Sequence, residues 1–100
     1  MNKTQISKPY DLEDRTFTFA KDVRDFVKTL QRTISTIEYS KQLIRSSGSV
    51  AANYIEANEA LSKKDFLLRI KICRKEAKET RLWLKLLDNE SETKNNLIKK

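Results

Sequence analysis

The sequence predicts an all-α protein, an antiparallel up-down helical bundle of the four-helix type with a short or truncated fourth helix. Three observations lead there. Glycine and proline occur once each in 100 residues, which leaves few positions for tight β-turns. No stretch alternates apolar and polar residues as a half-buried strand does. Apolar residues instead recur at intervals of three and four, in segments that carry helix-start signals and short connections, the pattern of a bundle. A chain of this length makes one domain, spanning residues 11–100, with little stability to spare.

Residues 1–10 are polar and include Pro9, and are expected to form a mobile arm. A first helix is predicted over residues 11–30. Phe19, Val23, Phe26 and Leu30 form its seam, with Ala20 and Val27 beside it and Lys21, Asp22, Arg24, Asp25 and Lys28 turned outward. A second helix, over residues 35–60, starts at Ser35, which with Glu38 makes a capping box, and Ile34 can staple to Tyr39. Its predicted seam is Ile37, Ser40, Ile44, Ser47, Ala51, Tyr54, Asn58 and Leu61. Gly48 falls in the middle, where glycine costs about 1 kcal/mol relative to alanine. The seam keeps its phase on both sides, so the helix is expected to continue through Gly48. The small residues Ser46, Ser47, Ser49, Ala51 and Ala52 would let a neighbour approach closely.

A third helix, over residues 62–87, repeats the starting device: Ser62 caps, Asp65 follows three residues on, and Leu61 can staple to Phe66. Its seam is Phe66, Ile70, Cys73, Ala77, Thr80, Leu84 and Leu87. A second, weaker apolar line of Leu68, Ile72, Trp83 and Leu86 calls for a second neighbour and is the candidate oligomer or partner interface. Asn89 and Glu92 can start a short fourth helix over residues 90–99, to which Leu97 and Ile98 offer apolar contact.

The formal charge of +7 is uneven. Residues 1–61 hold nine basic and eight acidic side chains, residues 62–87 hold nine and three, and residues 88–100 hold three of each. The excess therefore belongs to the third helix. At 100° per residue, Lys63, Lys64, Lys71, Arg74, Lys75, Lys78, Arg81 and Lys85 fall in an arc of about 120°. These eight residues are the candidate nucleic-acid-binding set, since a coherent positive face concentrates polyanions. A solvated helix surface is the plain alternative, lysine and arginine being good helix formers.

Chemistry requiring grouped side chains is hard to place. There is no histidine, the usual near-neutral acid–base group and commonest metal ligand. One cysteine can form neither an internal disulfide nor a zinc cluster, and Cys73 lies on a seam, as a small buried residue would. Glu56 with Glu59, and Glu76 with Glu79, have a three-residue spacing, but they lack the Glu-x-x-His partners of bundle metal pairs and suit surface ion pairing better. Asn53, Asn58, Tyr39 and Tyr54 are the polar residues that could serve a site, but none reads as catalytic, and Asn58 and the tyrosines suit packing positions whose polar atoms find nearby partners. No glycine-rich phosphate loop exists. The expectation is a protein that is not an enzyme and has no metal and no cofactor. With no apolar leader or membrane span, a cytoplasmic location follows.

The run from Lys41 to Ala57 (Lys-Gln-Leu-Ile-Arg-Ser-Ser-Gly-Ser-Val-Ala-Ala-Asn-Tyr-Ile-Glu-Ala), Ser62-Lys-Lys-Asp-Phe66, and Arg74-Lys-Glu-Ala-Lys-Glu-Thr-Arg-Leu-Trp-Leu84 together resemble a known family. They are similar to the bacterial four-helix bundle proteins described as products of intervening sequences in 23S rRNA genes. The accessory variability protein of diversity-generating retroelements is a relative of that family. The match covers about residues 10–88. The resemblance implies up-down four-helix subunits in a homopentameric ring or barrel. For the retroelement relative it also implies a basic nucleic-acid-binding surface and a reverse transcriptase partner. This chain departs from the pattern at Ala51, where the family often has glycine, and in stopping about ten residues into the fourth helix.

The functional expectation is a self-associating bundle that meets RNA or DNA through phosphate contacts along its third helix. Trp83 stands off the basic arc, so no stacking platform for single strands is visible. The alternative is a protein–protein adaptor or structural assembly subunit that docks through Leu68, Ile72, Trp83 and Leu86, without a membrane role.

Overall fold

The computed structural model describes the backbone of residues 11–99 and the side chains of residues 12–88. The arm expected at residues 1–10 and the contacts expected of Leu97 and Ile98 lie outside them. Three helices and no strand occur among the described residues: α1 (Asp11–Lys28), α2 (Ile34–Asn58) and α3 (Lys63–Lys99).

The helix starts are local chemistry. α2 begins two residues before the expected Ser35–Glu38 box. Its N-cap is Thr33, in an extended conformation (φ −120°, ψ 170°). Thr36 N–H donates to Thr33 Oγ1 at 3.1 Å, Thr33 N–H donates to Thr36 Oγ1 at 2.9 Å, and the Thr36 hydroxyl reaches the Gln31 carbonyl at 2.6 Å. Two threonines thus satisfy two orphan donors reciprocally, and starting two residues earlier extends the backbone hydrogen bonding by about half a turn. Ile34 is 86% exposed, so it does not staple to Tyr39. α3 starts as expected, with Asp65 N–H donating to Ser62 Oγ at 3.1 Å. Leu61, however, is 97% exposed and does not pack on Phe66.

α2 runs unbroken through Gly48, as its phase predicts. Glycine is not what brings the neighbour close. A Cβ at Gly48 would meet nothing within 4 Å, whereas Ser46 and Ser47 are fully buried. α3 likewise runs on through Asn89 as one helix of 37 residues, about 55 Å at 1.5 Å per residue. No glycine or proline follows Ser62 to end it. Residues 90–99 therefore continue α3 and form no separate fourth helix, and the described residues make three helices in all.

α2 packs against both α1 and α3, and no close backbone approach links α1 to α3. The result is a thin layer, 55 × 34 × 17 Å, with a radius of gyration of 16.6 Å. A compact 100-residue domain would have about 13 Å. The core is small: Val23, Leu43 and Leu87, one from each helix, form a buried cluster, with Val27, Leu30, Tyr39, Trp83 and Leu84 packed around it.

The buried lines keep part of each predicted seam, namely Val23 on α1, Ser40, Ser47 and Tyr54 on α2, and Thr80 and Leu87 on α3, and depart from it elsewhere. On α2 the buried line is Ser40, Leu43, Ser46, Ser47, Val50, Tyr54 and Ala57. Ile44 and Asn58 of the expected seam are exposed. On α1 Val23 is buried, while Phe19 and Phe26 are each 37% exposed. On α3 the buried residues are Thr80 and Leu87, both of the predicted seam, and Glu76, which lies between that seam and the second apolar line. One neighbour, α2, covers the edge of the main seam next to Glu76, and half-buried Trp83 and Leu84 flank the same contact on either side.

Candidate nucleic-acid interface on helix three

The α2–α3 contact sets which way α3 faces. Its centre is polar and closely fitted. The Thr80 and Ser46 hydroxyl oxygens lie 2.8 Å apart, both groups buried, and Thr80 Oγ1 is also 2.8 Å from the Glu76 carbonyl. Cys73 Sγ–H donates to the Val50 carbonyl at 3.4 Å, and burial raises its thiol pKa above the ordinary 9.0. Glu56 and Glu59 are exposed, but Glu76 is buried and reaches across the contact. Arg45 Nη2 lies 3.3 Å from Glu76 Oε1 and 3.0 Å from Glu79 Oε1. Lys75 Nζ closes the cluster at 3.8 and 3.9 Å from the same two carboxylates. Removing a charged carboxylate from water is costly unless it is paired, and two cations meet that need.

With that contact at the inner face, the basic arc points directly away from α2. Lys63, Lys64, Lys71, Arg74, Lys75, Lys78, Arg81 and Lys85 are all exposed. Lys75 alone of the eight has an ion pair among the described residues. Lys71, Arg74, Lys75 and Lys78, with Glu79, line a shallow concavity along the helix. Arg69, the ninth cation of the segment, stands apart: its Nη1–H donates to Asn53 Oδ1 at 2.9 Å, tying α3 to α2. Asn53 in turn donates to the Ser49 carbonyl at 2.9 Å, and Asn58 donates to Glu13 of α1 at 3.3 Å.

Two features of this surface are not read from the charge pattern. Leu67 and Leu82, each 48% exposed, sit within the basic arc. Arg45, on another helix, adjoins the arc through Lys75 and Glu79, a proximity that no spacing along one helix encodes.

The candidate interface line divides. Leu68 is 54% exposed, while Ile72, Trp83 and Leu86 are half-buried. Trp83 packs on the core cluster, its ring centroid 5.9 Å from that of Tyr39 at a 32° tilt. Its indole Nε1–H is buried with no acceptor among the described residues. Among the described residues no group of three or more acidic or thiol side chains could hold a metal ion. No described helix is long and apolar enough to cross a membrane.

Comparison with known proteins agrees with this framework. A crystal structure of a protein of unknown function from the S23 ribosomal protein family of Bacteroides thetaiotaomicron superposes with a TM-score of 0.71 at 37% identity, covering 78% of this chain and 72% of that one. No functionally curated protein matches the chain. The family model described as 23S rRNA-intervening sequence protein matches residues 9–100. The chain therefore belongs to the 23S rRNA-intervening sequence protein family.

Proposed function

We propose that this protein is a non-enzymatic, self-associating helical-bundle subunit that binds nucleic acid through the outer face of α3. The observation that carries the reading is the segregation of charge. Eight exposed cations share one face of α3, turned away from α2, and seven of them have no ion pair among the described residues. Lys71, Arg74, Lys75, Lys78, Arg81 and Lys85 neutralise phosphates, so binding is largely indifferent to sequence.

Self-association is supported by the thinness of the layer. Leu12, Phe19, Phe26 and Phe66 are 43%, 37%, 37% and 39% exposed, and helical phase places them on the flanks of α1 and α3 that adjoin the core cluster. A second copy covers that open side. In a closed assembly of the kind the family resemblance implies, the basic faces of several subunits act together.

The test is binding to a labelled polynucleotide across a salt series. The logarithm of affinity is expected to fall linearly with the logarithm of salt, with a slope of about −0.9 per neutralised phosphate on duplex DNA. Reversal of charge at Arg74, Lys78 and Arg81 together is expected to abolish binding while leaving the helical content intact. Unchanged binding by that triple variant overturns the reading.

A further inference from the structure

Resting on the phosphate-binding reading above, we infer that the α3 edge docks lengthwise in the major groove of B-form DNA. Three observations narrow the polyanion to that form. First, the cations lie on the convex outer face of one helix, whose relief is the shallow, open concavity beside Lys71, Arg74, Lys75 and Lys78. α3 is an edge helix of a layer 17 Å thick, its outer half clear of α1 and α2. A helix with its side chains is about 10–12 Å across, and the B-DNA major groove, about 12 Å wide, admits one. The major groove of A-form RNA is too narrow and deep for side chains to read.

Second, the basic positions run straight. From Lys71 to Lys85 the cations recur at every turn over about 21 Å on one continuous helix. By helical phase, Lys64, Lys71 and Lys75 line one margin of the arc and Lys63, Arg74 and Arg81 the other, with Lys78 and Lys85 between. Two rows of cations flanking a convex face match the two phosphate strands that border a groove. The central lysines then face base edges, where guanine N7 and O6 accept hydrogen bonds.

Third, the arc contains no aromatic ring. Trp83 is half-buried against Tyr39 and the core, and helical phase places Phe66, 39% exposed, outside the arc. Single-strand binding relies on aromatic platforms on which bases stack, and such a platform is missing among the described residues of this face.

The experiment compares one sequence of mixed composition as duplex DNA, duplex RNA and single-stranded DNA at fixed salt, with the full chain and fluorescence anisotropy as readout. Duplex DNA is expected to bind at least about tenfold more tightly than either alternative, the discrimination of one well-placed groove contact. Guanine N7 is expected to be protected from methylation in the bound duplex. Arg74→Ala and Lys71→Ala, on opposite margins, are each expected to reduce the salt slope by about 0.9. Equal or tighter binding of duplex RNA or of the single strand, or unprotected guanine N7, overturns the groove assignment and leaves phosphate binding standing. Failure to bind any of the three overturns both.

Discussion

Gly48 shows how a residue can be misread in part from its neighbours. Its place among small side chains predicts a close helix contact, and that contact exists. It is made by Ser46 and Ser47, while Gly48 faces open space. Gly48→Ala therefore removes a helix-interior glycine without a clash and is expected to stabilise the fold by about 1 kcal/mol. Thermal unfolding should show the midpoint rising by about 4–8 °C. Cys73 is the residue whose titration bears on stability. Burial holds its thiol above the ordinary value of 9.0, so the folded state keeps the proton longer than the unfolded chain does. The resulting contribution is fully present below the unfolded value and is lost as pH rises through the folded one. The stability difference between wild type and Cys73→Ala is expected to be constant below about pH 8.5 and to fall above it, as read by urea unfolding across a pH series.

At the scale of elements, start signals and periodicity were legible and rotation was not. Ser62 caps α3 as its sequence predicts, but α2 starts at Thr33 because two threonine side chains satisfy each other's backbone donors. Thr33→Ala is expected to cost about 1 kcal/mol, within a range of 0.5–2, by chemical denaturation. Ser35→Ala, at the position a pattern search would choose, is expected to cost less. The seams went astray where apolar residues are spread around a helix. α3 has two apolar stripes, and spacing alone assigns each its own neighbour. α2 instead covers the edge of the first stripe, where Ser46 and Thr80 let the backbones close, together with Glu76 beside it, which Arg45 compensates. Periodicity counts apolar positions and does not register that a serine, a threonine and a paired glutamate can fill an interface centre.

For the molecule as a whole, the dominant fact is an incomplete enclosure. Three helices in a layer bury one small cluster and leave phenylalanines on both edge helices exposed. The self-association proposed above would cover this surface. Sedimentation across a concentration series is expected to show assembly, and Phe19→Ser with Phe66→Ser is expected to suppress it while retaining the helical signal. The double variant should also bind polyanions more weakly through lost avidity, with each subunit's basic face unchanged. A wild-type chain that stays monomeric at all concentrations would remove self-association from the proposed function.

The amino-acid order alone determined the helical class, the continuity of α2 and the single basic face of α3, because glycine content, 3.6-residue phase and like-charge clustering are local properties. The candidate cations are exposed because α2 covers the opposite side of α3, where Glu76, Thr80 and Leu87 are buried. Only the tertiary structure decided how many helices form, which stripe of each is buried, and that α3 is an edge with its outer half free. Those outcomes depend on which surfaces meet, on the fit of small polar groups between two backbones and on the pairing of a buried carboxylate. None of these follows from the spacing of residues along one helix.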